Sequence, residues 1–375
     1  MKGVKMTSLY IHIPFCNRIC TYCDFNKFLI KNQPVDTYID CLIKELSTIP
    51  TDIDTLFIGG GTPTALNDQQ LERLLKFIAQ QFKIQQEFSM EANPDELTAA
   101  KIMIMKKYGV NRLSLGVQTF DNDLLKLLGR THEEEDIRRA VDTAKALDIE
   151  SVSIDLMYHL PTQSLEQVKL DLEKALALDI DHISSYSLIL EPKTQFYNQY
   201  RKGMLQLPDE TLAAEMYDYT IRRLAISAFQ QYEISNFAKP GHESEHNKVY
   251  WQNREYYGAG AGSHGYVNGE RYYNIAPVPH YIKAVQLGNA VKETHKVTRE
   301  ESMEEFMFLG LRMNEGISRW DFLQRYGTRI EKIFGDVLTK LEASELIVVT
   351  EDRIYMTAAG RMIGNDVFEE FLLSI

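Results

Sequence analysis

No apolar run in this chain approaches the roughly 20 residues that a membrane-spanning helix needs, and no tract of Lys and Arg stands out. The first absence argues against a helical membrane anchor. The second, with 53 acidic against 41 basic residues and a formal charge of −12, argues against wholesale binding to nucleic acid or an anionic membrane surface. Residues 1–8 are too few and too polar for a signal peptide before Leu9 opens a strand, so the expected location is the cytoplasm. Cysteine is scarce, four in 375 residues. Three of the four fall inside eight positions, which is no secreted disulfide framework; in a reducing compartment such a group points to metal. Internal repeats and low-complexity tracts are missing as well. What remains is an ordinary globular composition, 44% apolar and 25% charged, with enough chain for a large α/β domain and a smaller one.

Short β-rich runs alternate with helical periods through the first half. Strands are expected at Ser8–Ile13, Thr55–Ile58, Phe88–Glu91, Arg112–Val117, Ser151–Met157 and His182–Leu188. Helices are expected near Pro34–Thr48, Asp68–Phe82, Glu96–Lys107, Asp121–Leu128, Glu133–Leu147 and Leu165–Leu178. Six such units predict a parallel sheet that falls short of a closed eight-stranded barrel. The expected fold is therefore α/β, a partial (β/α)6 TIM-like barrel over residues 1–190, with chemistry at the C-terminal ends of its strands. Residues 191–297 read as a mixed α/β extension: a helix at Glu210–Ser227, then strands at Tyr232–Phe237 and Tyr266–Tyr273 around an irregular segment. Residues 298–375 read as a small winged-helix-like C-terminal domain, with helices near Glu300–Leu311 and Arg329–Ser344 before a hairpin of Leu346–Val349 and Arg353–Met356.

Cys16, Cys20 and Cys23 follow the first expected strand in a C-x3-C-x2-C spacing. Thiolates are soft donors suited to zinc or to iron–sulfur clusters. Three of them can grip one face of a four-iron cube and leave the fourth iron open to a ligand. The alternatives are zinc with a distant fourth ligand such as His12, or three incidental thiols; a structural zinc site usually draws on a second knuckle, and none is present. Cys41 lies alone in an expected helix and reads as a buried small hydrophobe.

The spacing, with Tyr22 just before the third cysteine, resembles the radical S-adenosylmethionine superfamily. The resemblance implies a partial barrel of that type, holding a 4Fe-4S cluster on Cys16, Cys20 and Cys23. It also implies S-adenosylmethionine as the cofactor, cleaved by an electron from the cluster to give methionine and a 5′-deoxyadenosyl radical. Further stretches match. Gly59-Gly60-Gly61-Thr62-Pro63 follows the second strand and is similar to the family's glycine motif at the methionine amino group. Glu91 ends the third strand, Gln118 the fourth, and Asp155 lies near the end of the fifth, while Arg130 sits in the loop Gly129-Arg130-Thr131-His132. With Tyr10, Tyr22, Gly60, Gly61 and Thr62, these are the implied cofactor residues. Taken singly, each reads as a loop residue or helix cap; together they offer carboxylates for ribose, a guanidinium for a carboxylate and an amide for polar atoms. One departure is His159, where relatives usually carry glycine.

The resemblance covers nearly the whole chain and narrows to the branch of coproporphyrinogen dehydrogenases and heme chaperones. Three features favour the chaperones. The dehydrogenases carry another cysteine two positions after the third, where this chain has Phe25. They also carry a sizeable segment before the first strand, whereas nine residues precede Tyr10 here. Finally, His246-Asn247-Lys248-Val249-Tyr250-Trp251 matches the HNxxYW motif associated with heme in the chaperones. Imidazole is a common axial ligand of heme, and aromatic side chains can flank a flat macrocycle. The resemblance thus implies heme as a third cofactor, held at His246, Asn247, Tyr250 and Trp251 with His246 on the iron; without it, His246 and Trp251 read as core anchors of a loop. The implied partners are heme and hemoprotein clients of the respiratory chain, with transient membrane-protein contact and no nucleic acid. The rival activity is oxidative decarboxylation of coproporphyrinogen III. A zinc-stabilised barrel that only binds proteins is the third reading.

Overall fold

The structure is a computed structural model that describes residues 7–373. The N-terminal stretch discussed as a signal peptide lies outside the described residues, apart from Thr7 and Ser8. The chain opens with β1 (Thr7–Ile13), and two short strands, β2 (Phe15–Cys16) and β3 (Phe28–Leu29), pair in parallel on either side of the cysteine loop. Then come α1 (Val35–Leu46), β4 (Asp52–Gly60), α2 (Asp68–Gln81), β5 (Lys83–Ala92), α3 (Ala99–Lys107) and β6 (Arg112–Gln118). They are followed by α4 (Asn122–Leu128), α5 (Glu134–Ala146), β7 (Ser151–Tyr158), α6 (Leu165–Leu176) and β8 (His182–Ser187). Strands β1-β4-β5-β6-β7-β8 lie side by side and all run parallel, the six-unit open barrel expected of the sequence. The helices start where side chains cap them: Asn67 and Ser164 form capping boxes, and Thr98 and Asp121 accept from backbone N–H groups.

Period-2 alternation decides what each strand face does. Phe88, Met90, Leu113, Leu115, Val152, Ile154 and Ile183 point outward and are buried against the helices. Burial of each such side chain stabilises the fold by roughly 1.5–3 kcal/mol. The alternate positions face the barrel interior and are polar: Glu87, Ser89 and Glu91 on β5, Arg112 and Ser114 on β6, Ser153 and Asp155 on β7, His182 and Ser184 on β8. Cys41 is buried in α1, as its bland reading had it.

Residues 191–297 differ from expectation in detail. They form α7 (Gln195–Arg201), α8 (Glu210–Ala225), β9 (Gln230–Glu233), β10 (Asn236–Ala238), α9 (Glu245–Trp251), β11 (Tyr256–Ala259), β12 (His264–Val267), β13 (Glu270–Asn274), α10 (Val278–Gln286) and β14 (Val291–Lys296). Each of the two expected strands is a hairpin. The second turns at Asn268-Gly269, where both residues have positive φ (53° and 74°), the pair of left-handed conformations that a two-residue hairpin turn requires. The segment read as irregular contains the helix α9 and the strand β11; α9 has seven residues, too few for periodicity to reveal, and starts at the cap Ser244. These strands extend the barrel sheet at both edges. β10 pairs antiparallel with β8 and β11 pairs parallel with β1, giving the order β14-β13-β12-β11-β1-β4-β5-β6-β7-β8-β10-β9.

The last part contains α11 (Arg299–Gly310), β15 (Ile317–Ser318), α12 (Arg319–Tyr326), α13 (Ile330–Ala343), β16 (Ile347–Val349), β17 (Arg353–Met356), α14 (Ala358–Met362) and α15 (Gly364–Glu369). Five helices and a small sheet of order β15-β17-β16 surround a separate core of Met303, Met307, Phe322, Phe334, Ile354 and Phe371. This is the winged-helix-like arrangement the sequence predicts, with β15, α12, α14 and α15 added. Among the described residues no helix is long and apolar enough to cross a membrane.

Candidate functional site

The C-terminal ends of the parallel strands surround a cavity of about 760 Å³. Its wall includes Cys16, Cys20 and Cys23, and with them Tyr22, Gly60, Gly61, Thr62, Glu91, Gln118, Arg130 and Asp155. Every implied cofactor residue except Tyr10 is thus brought to one mouth. Tyr10 lies below that mouth, its ring stacked on Phe57 at 6.1 Å and its hydroxyl 3.0 Å from His12 Nδ1. His12 Nε2 is 2.7 Å from the Asn26 carbonyl, so both ring nitrogens are engaged and His12 is absent from the cavity wall. Among the described residues, no three His, Cys, Asp or Glu side chains converge on a single ion position. With both ring nitrogens engaged, His12 does not complete a zinc set with the three thiols.

Glycine is required at two points of the Gly59–Gly61 turn. Gly60 has φ +117°, and a Cβ there would lie 2.5 Å from the His12 ring. A Cβ on Gly61 would lie 2.7 Å from the Phe15 carbonyl and 3.0 Å from Cys16 Sγ. The bare backbone therefore lies directly against the cysteine loop. Gly60 N–H donates to Glu91 Oε2 at 3.1 Å, and Thr62 Oγ1 donates weakly to Cys16 Sγ at 3.7 Å. Gln118 ends β6 with φ +69°, a left-handed conformation rare for its residue type and common at ligand sites.

Charge in the cavity is unmatched. Enclosure away from water and then the nearby Asp155 push the Glu91 carboxyl up to about 7. Burial also raises Asp155, although Ser114 Oγ donates to it at 3.0 Å. Arg130 donates to Asn93 Oδ1 and, at 3.2 Å, to the Tyr22 hydroxyl, while its Nε has no partner. Burial pushes the Cys16 thiol up to about 12 and raises Cys23 as well, so metal binding there must expel protons. An acid pair, an arginine with a free donor and three thiols around one space can receive a ligand carrying both cationic and carboxylate groups.

Sequence reasoning missed Asn93, which holds Arg130, and His132, which contacts the Val117 carbonyl through Nε2 at 3.0 Å and lines the cavity. His132 sits inside the stretch quoted for Arg130 and Asn93 lies two residues after Glu91; nothing in the linear order marks them. At the rim Phe25 and Ile189 are exposed. His159 has φ +61° and its Nε2 lies 2.8 Å from the Pro208 carbonyl, outside the cavity wall. That left-handed turn explains why glycine suits the position.

The HNxxYW residues are elsewhere. Glu87 accepts from Ser244 Oγ (3.2 Å) and from the N–H groups of Glu245 (2.8 Å) and His246 (3.4 Å), docking the α9 N-terminus inside the barrel. Glu87 lies four residues before Glu91 on β5, roughly 13 Å at 3.3 Å per residue, so α9 closes the end opposite the cysteines. His246 is buried; its Nδ1 is 2.8 Å from Thr55 Oγ1 and its Nε2 is 2.9 Å from the Tyr250 hydroxyl. Burial lowers the imidazole to about 3, so it is neutral. Asn247 occupies the first turn of α9. Trp251 points the other way, under the Arg312 guanidinium at 4.5 Å.

The "Radical SAM superfamily" family model matches residues 10–175, and that of the "HemN C-terminal domain" matches residues 297–363. The chain is 47% identical to the heme chaperone HemW of Bacillus subtilis, covering 98% of this chain and 99% of that protein. It is 33% identical to the heme chaperone HemW of Escherichia coli, over 97% and 98% of the two chains. Among solved structures, the coproporphyrinogen III oxidase HemN of Escherichia coli, a radical SAM enzyme, superposes with a TM-score of 0.87 at 26% identity, covering 100% of this chain and 92% of that one. Identity of this order over nearly the full length, on a barrel whose mouth gathers the three cysteines, carries one conclusion: the chain belongs to the heme chaperone HemW family of the radical SAM superfamily.

Proposed function

We propose that this protein is a cytoplasmic heme chaperone that holds a 4Fe-4S cluster on Cys16, Cys20 and Cys23, binds S-adenosylmethionine beside it, and passes heme to hemoprotein clients. The observation that carries the first half is the meeting, around one cavity, of three cysteines with eight further residues from separate βα loops. When bound, the cluster supplies the electron that cleaves the sulfonium of S-adenosylmethionine. This chain's own residues do the positioning. Gly60 and Gly61 would let backbone approach the methionine end, Glu91 and Asp155 would accept from the ribose hydroxyls, and Arg130 would offer its free Nε–H to a carboxylate.

The heme half rests on family membership and on α9, the helix that carries His246, Asn247, Tyr250 and Trp251. Clients of the respiratory chain, and with them transient contact with membrane proteins, belong to the same reading, as does the division of the chain at residues 190 and 297. Anaerobic reconstitution should give about four irons per chain, and S-adenosylmethionine with dithionite should then release 5′-deoxyadenosine. Stoichiometric zinc without iron uptake would sink the reading. A second reading, oxidative decarboxylation of coproporphyrinogen III, is favoured by the whole-chain superposition on HemN. Incubation with coproporphyrinogen separates the two, because protoporphyrinogen as product would promote the enzyme over the chaperone.

A further inference from the structure

Gln118 is held in place from outside the barrel. Strand β6 is bulged at its end: Gly116 pairs with Asp155 and Gln118 with Leu156, so Val117 is the extra residue. Gln118 itself has φ +69°, which residues with side chains rarely adopt unless their surroundings impose it. Its amide lies over Gly116, where a Cβ would come within 3.0 Å of both Gln118 Nε2 and Arg130 Nη2. Amide and guanidinium thus line the same part of the cavity.

The constraint comes from α6. Asp171 is buried there, and its carboxylate accepts from Thr119 Oγ1 and from the Phe120 N–H, each at 2.7 Å. Those are the two residues that follow Gln118. Among the described residues no cation pairs with Asp171; the nearby Lys174 is engaged by Glu134 at 2.7 Å. Burial accordingly pushes the Asp171 carboxyl up to about 6. An apolar side chain would pack at this position without that cost, but it would not hold two donors. Other contacts fix the flanks of the turn. Gln167, also on α6, donates to Asp121 Oδ2 at 2.9 Å, and His132 Nε2 lies 3.0 Å from the Val117 carbonyl. Asp171 takes the pair directly after Gln118.

We infer that Asp171, itself absent from the cavity wall, is a positioning residue for S-adenosylmethionine: it pins Thr119 and Phe120 and so keeps the Gln118 amide turned into the site. The inference rests on the proposed cofactor reading and extends it to a residue that does not touch the cofactor.

The test uses the full chain with its cluster reconstituted, and S-adenosylmethionine affinity per cluster is measured by anaerobic equilibrium dialysis. Gln118→Ala and Asp171→Ala should each weaken binding about tenfold, the order expected for one hydrogen bond to the ligand. Asp171→Asn should stay within about threefold of wild type, because an amide offers Oδ1 to the Phe120 N–H and its NH2 to Thr119 Oγ1. The double variant decides. If Asp171 acts through Gln118, Asp171→Ala adds nothing once Gln118 is alanine, whereas independent effects would multiply to about a hundredfold. Thermal melts establish that each variant is folded. Should Asp171→Ala not fold, Thr119→Val, which removes one of the two bonds, takes its place in the cycle. Wild-type affinity in the folded variant, an Asn variant as weak as the Ala one, or a multiplicative double variant overturns the inference. No binding by wild type, or wild-type affinity in Gln118→Ala, overturns instead the cofactor reading beneath it.

Discussion

The two ends of the barrel are built from the same strands and are about equally polar, yet they differ in one respect. At the α9 end the polar groups answer one another. Glu87 accepts from Ser89 Oγ (2.7 Å) as well as from the start of α9. Arg112 donates to Ser151 Oγ (3.0 Å) and the His242 carbonyl (2.9 Å), and His182 lies between Ser153 Oγ (2.7 Å) and the Tyr232 hydroxyl (2.9 Å). At the cysteine end, burial and the nearby Asp155 raise the cost of ionising Glu91, Arg130 keeps a free donor, and three thiols line the cavity. Buried polarity by itself therefore marks neither end as a site. What distinguishes the cysteine end is an unpartnered donor, Arg130 Nε, beside an open cavity, because an unpartnered buried group costs about 1–3 kcal/mol that a ligand can recover.

Four measurements break or sharpen this contrast. The largest effect belongs to Cys20→Ala, which should abolish cluster retention and 5′-deoxyadenosine formation together, read by iron analysis and product chromatography. Next, His246→Ala empties a packed site and strands Thr55 and Tyr250, so urea unfolding should show a loss of about 2–4 kcal/mol, with iron content retained. An unchanged stability accompanied by loss of the hemin Soret band would reverse the assignment of the two ends. Third, Glu91→Gln should stabilise the cofactor-free protein at pH 8 by on the order of 1–3 kcal/mol. Its folded carboxyl titrates near 7, above the unfolded value, so the stability present below the unfolded pKa is lost as pH rises through 7. Melts from pH 4.5 to 8 should show the gain growing across that window, while S-adenosylmethionine affinity in the parent rises with pH over the same range. Smallest is His159→Gly, where relief of the left-handed turn and loss of the Pro208 contact nearly cancel; denaturation midpoints should move by less than about 1 kcal/mol.

Much of the cysteine end was legible in linear order, since each βα unit delivers its own residue to the same mouth. Glu91, Gln118 and Asp155 needed only strand ends and the rule that chemistry lies there. Tyr10 was the exception, because which side of Glu91 it occupies depends on packing against Phe57 and His12. The α9 end was poorly legible. Its helix is short, its partners Thr55 and Glu87 come from more than 150 residues earlier, and the hairpins that lead into and out of it read as single strands.

The sequence by itself determined the cysteine triplet, the six βα units and the separate C-terminal module, all set by spacing and period within short windows. Only the tertiary structure decided that β11 closes onto β1, that α9 plugs the far end of the barrel, and that His246 and Trp251, five residues apart, face different compartments. The physical reason is range. A strand's period and a cysteine's neighbours are local, whereas the pairing of buried polar groups is settled between segments that meet only when the chain has folded.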